Sequence, residues 1–221
     1  VSSYSSGYSI TDNNFYQSSA FSPASSVEHA VIRIDNTSGT DFIVSGNAIG
    51  GSAAGASGTW TKTGSDNEFK AIYMNVGSSG NSVQNNAIKG FNYTNSGAAG
   101  WSGIEIASGV VNVGTSSGNV LGSESGTGSI VFTAGATGAT FYGIRVSTTS
   151  TVTVANNKIG AITTAASAST NATHFYGIYK SATAGIVNIL DNVLGSTVTS
   201  GSINASSAAT SNSQLVYAIY N

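Results

Sequence analysis

Apolar residues alternate with small polar ones in short runs along the whole chain. Thr151-Val152-Thr153-Val154 shows this most cleanly, Val187-Asn188-Ile189 repeats it, and Ser129-Ile130-Val131-Phe132 is a more continuous apolar stretch. A period of two predicts strands, because successive side chains of an extended backbone point to opposite faces. Long runs of helix formers are missing, while glycine and β-branched residues are spread throughout, which agrees with strands. The strands come in a fixed order between two recurring anchors. The first anchor is Asn, any residue, a bulky apolar or aromatic residue, then usually Gly: Asn14-Phe15-Tyr16-Gln17, Asn47-Ala48-Ile49-Gly50, Asn86-Ala87-Ile88-Lys89, Asn119-Val120-Leu121-Gly122, Asn157-Lys158-Ile159-Gly160 and Asn192-Val193-Leu194-Gly195. The second centres on Ile32, Ile72, Ile104, Ile144, Ile178 and Ile219, usually preceded by Gly or Ala.

Spacing between the anchors separates a constant arc from a variable one. Ile to the next Asn takes about 13 to 15 residues, whereas Asn to the next Ile takes about 18, 25, 18, 25, 21 and 27. The true period is therefore a pair of coils, about 72 residues long, and the variable arcs should carry loops at 53–68, 124–140 and 196–214. Short strands and Gly/Asn turns repeating on this scale predict a solenoid, specifically a right-handed parallel β-helix. About six coils are expected, with three strands per coil. One strand ends at the Ile anchor, one runs into the Asn anchor (Phe42-Ile43-Val44, Ser82-Val83-Gln84), and one lies in the variable arc (Thr59 to Thr63, Ser129 to Thr133). At about 4.8 Å per coil the rod is roughly 29 Å long.

Like residues would then lie over like residues. Asn14, Asn47, Asn86, Asn119, Asn157 and Asn192 should form an amide ladder, and Asn also tolerates the left-handed backbone of a tight corner. Phe69, Trp101, Phe141 and Phe175, three residues before each Ile, should stack as an aromatic column ended by His29 and Val216. Beside the Ile anchors an outward column reads Arg33, Tyr73, Glu105, Arg145, Tyr179, Tyr220. It suits a carbohydrate face through Tyr73, Glu105, Arg145, Tyr179 and Tyr220. It equally suits cross-strand pairing, with Glu105 to Arg145 as an ion pair and Arg33 over Tyr73 as a cation–π contact.

Composition narrows the function classes. Only 7% of the 221 residues are charged against 40% hydrophobic, yet the regular apolar period argues against disorder. A net charge of −2 gives no basic footprint for nucleic acid. No apolar run approaches the roughly 18 residues of a membrane span, and a signal peptide is expected to be absent or removed. The absence of Cys fits an extracellular bacterial protein. The nine acidic residues scatter when projected on the coil, with Asp66 and Glu68 beside a solvated loop and Asp35 over Asn75, so a catalytic pair is not expected. His29 and His174 occupy different coils, so neither a metal nor a cofactor is expected. Threonines fall at different offsets from the Asn anchors in different coils, which weakens an ice-binding reading.

The runs Phe-Tyr-Gly-Ile-Arg-Val at 141–146, Phe-Tyr-Gly-Ile-Tyr-Lys at 175–180 and Val-Ala-Asn-Asn-Lys-Ile-Gly at 154–160 resemble right-handed parallel β-helix repeat proteins. More narrowly, they resemble repeat regions of secreted Bacteroidetes-type surface proteins exported by type IX secretion. The resemblance spans essentially the whole chain. It implies a single array over residues 1–221, at the bacterial cell surface or outside the cell. Neither end carries a polar cap, so a segment of a longer protein, or a protomer with end-to-end self-association, is expected. The expected role is non-enzymatic, structural or adhesive, with surface glycans or other protein chains as partners. A polysaccharide-binding or polysaccharide-degrading β-helix is the alternative, although no positions match the convergent Asp/Arg/Lys cluster of the lyases.

Overall fold

The computed structural model describes residues 5–166 and 171–221. The backbone coils through four sheets in turn, and every strand pairs in parallel with the strand about one coil earlier or later. A leading sheet stacks Ser9–Thr11, Ile43–Ser45, Asn81–Gln84, Val111–Val113, Val152–Ala155 and Val187–Leu190. A corner sheet stacks Asn14–Phe15, Ala48–Ile49, Ala87–Ile88, Val120–Gly122, Lys158–Gly160 and Val193–Leu194. A variable-arc sheet stacks Trp60–Lys62, Phe91–Thr94, Ile130–Ala134, Ile162–Ala166 and Ile203–Ala205. In the first coil its place is marked only by a bridge from Phe21 to Lys62. A broad sheet stacks His29–Asn36, Phe69–Val76, Trp101–Ser108, Thr140–Val146, His174–Lys180 and Val216–Tyr220. Three sheets have six strands, so the molecule is a parallel β-helix of about six coils.

Every coil after the first uses four strands where three were expected, and the turn chemistry explains the extra one. The residue just before the ladder Asn takes a left-handed backbone: Asp12 (φ 57°), Gly46 (68°), Asn85 (52°), Asn156 (59°) and Asp191 (53°). Asp, Asn and Gly adopt this region at least cost. A second left-handed residue follows the corner strand, at Gly50, Gly90, Gly122, Ala161 and Gly195. Between two such bends only three or four residues remain, two or three of them in the corner strand. That is too short a stretch for alternation to reveal it as a separate strand. The fourth coil departs from this pattern. Gly114 takes the positive φ (78°), and Gln84 Oε1 accepts the N–H groups of Ser116 and Ser117 in the extra loop.

Stacking of like side chains fills the interior. The Ile column runs Ile32, Ile72, Ile104, Ile144, Ile178, Ile219 in register. Facing it, Phe15, Ile49, Ile88, Leu121, Ile159 and Leu194 line up across the corner sheet. The small residue before each Ile answers to this second column. A Cβ on Gly103 would sit 2.4 Å from Leu121 Cδ2, and one on Gly177 would sit 2.2 Å from Leu194 Cδ2. The aromatic column is also in register, and its rings lie nearly parallel: Phe69–Trp101 at 5.2 Å, Trp101–Phe141 at 4.7 Å and Phe141–Phe175 at 5.6 Å between centroids.

Candidate functional site

The amide ladder is the most continuous polar structure in the molecule. Asn47 sends its backbone N–H (3.0 Å) and its Nδ2 (2.9 Å) to Asn86 Oδ1, and Asn86 does the same to Asn119 Oδ1 at 3.0 and 2.9 Å. Asn119 continues to Asn157, and Asn157 to Asn192. The second Nδ2 proton of each goes to a main-chain carbonyl, for instance Asn119 to Val83 and Asn192 to Val154. The first rung is Asn13, not Asn14. Asn13 donates to Asn47 Oδ1 through N and Nδ2, while Asn14 pairs with Ala48 in the corner sheet and its side chain accepts, among the described residues, only the Gly55 N–H. The doubled Asn13-Asn14 allows two alignments, and Phe15 over Ile49 fixes the one in which Asn13 is the rung. The left-handed corner and the ladder therefore belong to two adjacent residues and not to one.

On the outer face of the broad sheet, Arg33, Tyr73, Glu105, Arg145, Tyr179 and Tyr220 form one column in register. A neighbouring column holds Ala30, Lys70, Ser102, Tyr142, Tyr176 and Tyr217. Arg33 lies 4.3 Å above the Tyr73 ring, and Arg145 Nη1 is 3.6 Å from Glu105 Oε1. Glu105 departs from the exposed position expected of it: only 5% of its surface is accessible. The second column causes this. Lys70 reaches over Glu105, its Nζ 3.8 Å from Oε2, and also meets Glu28 at 2.9 Å and Glu68 at 3.5 Å. Carboxylates that looked scattered along the coil thus gather around one ammonium. Burial pulls the Lys70 pKa down, but the Glu28 hydrogen bond and the Glu105, Glu68 and Glu28 charges more than offset it, so the net direction is up. Asp35 is held below the usual carboxylate range, first by its hydrogen bond from Arg33 and then by that from Asn75. Asp66, expected beside a solvated loop, is tied to the next coil: its carboxylate accepts the N–H groups of Gly97, Ala98 and Ala99.

Toward the last coils the same face becomes aromatic. Tyr142, Tyr176 and Tyr217 stack at 5.6 and 5.5 Å, and Tyr179 stacks on Tyr220 at 5.3 Å. Tyr142, Tyr176 and Tyr217 were missed in reading the sequence, although the repeated Phe-Tyr-Gly-Ile places a Tyr directly after the buried Phe. Along the rod these rings meet face to face, and between the two columns they meet edge to face. The larger surface hollows lie elsewhere. One is lined by Thr140, His174 and Leu215, and another by Lys89, Phe91, Asn92 and Ser129.

A second polar cluster is enclosed inside the variable arc. Lys62 has no accessible surface, and its Nζ donates to Ser65 O, to Thr94 O at 2.9 Å and to Asn95 Oδ1 at 2.5 Å, 4.9 Å from the Tyr93 ring centre. Tyr93 in turn shares a 2.7 Å hydrogen bond with His29 Nδ1. Burial pushes the Lys62 ammonium down to about 8, with the Asp66 charge opposing. His29 is lowered too, by burial first and then by the Lys62 charge. Between about pH 8 and the unfolded value of 10.5 the unfolded chain holds the extra proton, so Lys62 makes stability rise with pH there. Burial raises the Tyr93 pKa, which acts in the opposite sense only above about pH 10. The melting temperature is therefore expected to gain from Lys62 between pH 7.5 and 9.5. Lys62→Met should flatten that gain; an identical pH profile in the variant contradicts the assignment.

No three His, Cys, Asp or Glu side chains converge as a metal site among the described residues, and no helix there is long and apolar enough to cross a membrane. No family model, curated protein or solved structure matches this chain. Its class is accordingly defined by the fold alone, as a parallel β-helix repeat protein.

Proposed function

We propose that the chain is a non-enzymatic structural and adhesive β-helix segment of an extracellular or cell-surface protein, in keeping with its resemblance to repeat regions of type IX-secreted Bacteroidetes proteins. The observation that carries this reading is the ladder from Asn13 to Asn192. It links every coil to the next by paired side-chain and main-chain hydrogen bonds and stiffens the array along its axis. The charged groups support it as well. Glu28, Glu68 and Glu105 close on Lys70, so each of these carboxylates faces an ammonium. An ammonium and a guanidinium facing carboxylates in this way hold neighbouring strands in register. Incubation with acidic polysaccharides is expected to leave their viscosity and reducing-end content unchanged. Depolymerisation that disappears in Glu105→Gln would overturn the reading.

Sugar binding is a second reading, favoured by the cluster of Tyr142, Tyr176, Tyr179, Tyr217 and Tyr220. Stacking a pyranose needs a free ring face, and Tyr176 at the centre of the cluster uses both of its own on Tyr142 and Tyr217. Binding through edges and hydroxyls would be weak, and a glycan retained by the native chain but lost in Tyr176→Ala would establish it.

A further inference from the structure

We propose that the trough floored by Lys89 binds a sugar carrying a single negative group, a carboxylate or a sulfate. The inference rests on the adhesive reading and gives it a site and a class of ligand.

The trough follows from the two-coil period. The third coil has a short variable arc, 18 residues from Asn86 to Ile104, and the coils on either side have long ones of 25. The long arcs form two walls, at 56–59 and 123–129, and Lys89, Gly90, Phe91 and Asn92 make the floor between them. The space is about 580 Å³, inside the roughly 300–1,000 Å³ usual for small-ligand sites.

Both walls are fixed by bonds of their own. In the first, the N–H groups of Ser52 and Ala53 donate to Ser57 O, and the Ser57 N–H donates to Ala53 O. The second is tied from its far side. Glu124 pairs with Lys158 at 2.7 Å, Ser196 Oγ donates to Glu124 O at 2.8 Å, and the Gly126 N–H donates to Thr199 Oγ1 at 3.0 Å. The last two bonds also join the long arcs of the fourth and sixth coils across the fifth, which closes the equivalent place there. Walls that are already ordered lose little freedom when a ligand enters.

Lys89 departs from the repeat. Its position, three residues after the ladder Asn, is Gly50 in the preceding coil and Gly122, Gly160 and Gly195 in the following ones. Ile88 lies between Ile49 and Leu121, so Lys89 comes next in register between Gly50 and Gly122, which have no side chains to cover it. Among the described residues the other six lysines and arginines each meet a carboxylate or a main-chain carbonyl, and half-buried Lys89 meets neither. Glu124 on the adjacent wall is taken by Lys158. A lone ammonium in a concave site attracts one negative charge. Thr59, Thr127 and Ser129 hydroxyls and the Asn92 amide share the trough, donors and acceptors suited to the hydroxyls of a sugar ring. A phosphate dianion calls for a second cation, and the described lining residues hold one.

Calorimetric titration at low ionic strength tests this with two pairs of probes. One pair is a glucuronate-terminated disaccharide and its methyl ester; the other is a sulfated disaccharide and its unsulfated parent. At least one anionic probe is expected to bind, which tells carboxylate from sulfate, and its neutral counterpart to bind at least tenfold more weakly. Lys89→Gln should weaken the anionic probe about tenfold or more, the effect of losing a charged hydrogen bond, with an unchanged melting curve. Lys89→Arg should keep most of the affinity, and Tyr176→Ala all of it. Failure of both anionic probes to bind, equal binding of a charged probe and its neutral partner, or native affinity in Lys89→Gln overturns the proposal. So does binding that Tyr176→Ala abolishes, which would move the sugar to the tyrosine cluster. Cleavage of a probe would instead count against the non-enzymatic reading, so the two failures are distinguishable.

Discussion

Asn119→Ala is expected to lower the melting temperature by roughly 6–12 °C and to broaden the transition. Asn119 is fully buried at the middle of the ladder. Its Oδ1 accepts from both N and Nδ2 of Asn86, and its Nδ2 donates to Asn157 Oδ1 and Val83 O. Alanine keeps the main-chain bond to Asn157, and Val83 O keeps the N–H of Gly114, but the Asn86 N–H is stranded away from water. That orphan costs about 1–3 kcal/mol and the other lost hydrogen bonds about 0.5–1.5 kcal/mol each, so roughly 3 kcal/mol is lost in total. For a chain of this length each kcal/mol moves the midpoint by about 2–4 °C. Broadening follows because coils contact only their neighbours, so a break at one rung divides a quasi-one-dimensional array. Asn14→Ala is the matched control. That side chain is exposed and accepts a single N–H, so its loss should stay within about 0.5 kcal/mol. Indistinguishable melting curves for Asn119→Ala and the native chain would remove the ladder from the account of stability.

The stacked architecture was legible in the sequence because a solenoid writes each contact as a repetition. Ile32 lies over Ile72 and Ile72 over Ile104, so spacing alone identifies neighbours in space. The aromatic column from His29 to Val216 was readable for the same reason. Two kinds of information were hidden. Where a repeated letter is doubled, as at Asn13-Asn14, the spacing fits either residue, and only the packing of Phe15 on Ile49 chooses. Where a contact joins unlike residues, repetition carries no signal. Lys70 occupies a position held elsewhere by Ala30, Ser102 and Tyr142, so nothing in the period pointed to its meeting with Glu28, Glu68 and Glu105. Lys62 was equally silent. Its column continues as Tyr93, Phe132 and Thr164, and a cation inside an apolar coil departs from the pattern. The constant part of the fold is thus written in the period, and the charged clusters lie in the exceptions to it.

The aromatic column should be the other point of greatest sensitivity, and Trp101→Ala its most damaging substitution. Trp101 has no accessible surface and lies between Phe69 and Phe141, nearly parallel to both. It also meets the edge of Phe91 at 5.7 Å, joining the broad sheet to the variable arc. Truncating a buried Trp costs about 3–5 kcal/mol, because the lost transfer energy is joined by a cavity that the surroundings only partly fill. Stacked parallel strands hold their coil spacing through the main chain, which limits collapse and favours the upper end of that range. Trp101→Phe separates packing from polarity. Phe already fills this position in three other coils, and Trp101 Nε1 has no hydrogen-bond partner, so nothing polar is orphaned by the change. That variant should stay within about 1.5 kcal/mol of the native chain. Chemical denaturation should rank native, Trp101→Phe and Trp101→Ala in that order. Hydrogen exchange should find the loss of protection in Trp101→Ala greatest in Phe69–Val76 and Thr140–Val146, the strands on either side. Equal stability of the alanine and phenylalanine variants would mean that the stacked rings contribute nothing beyond their presence in the lumen.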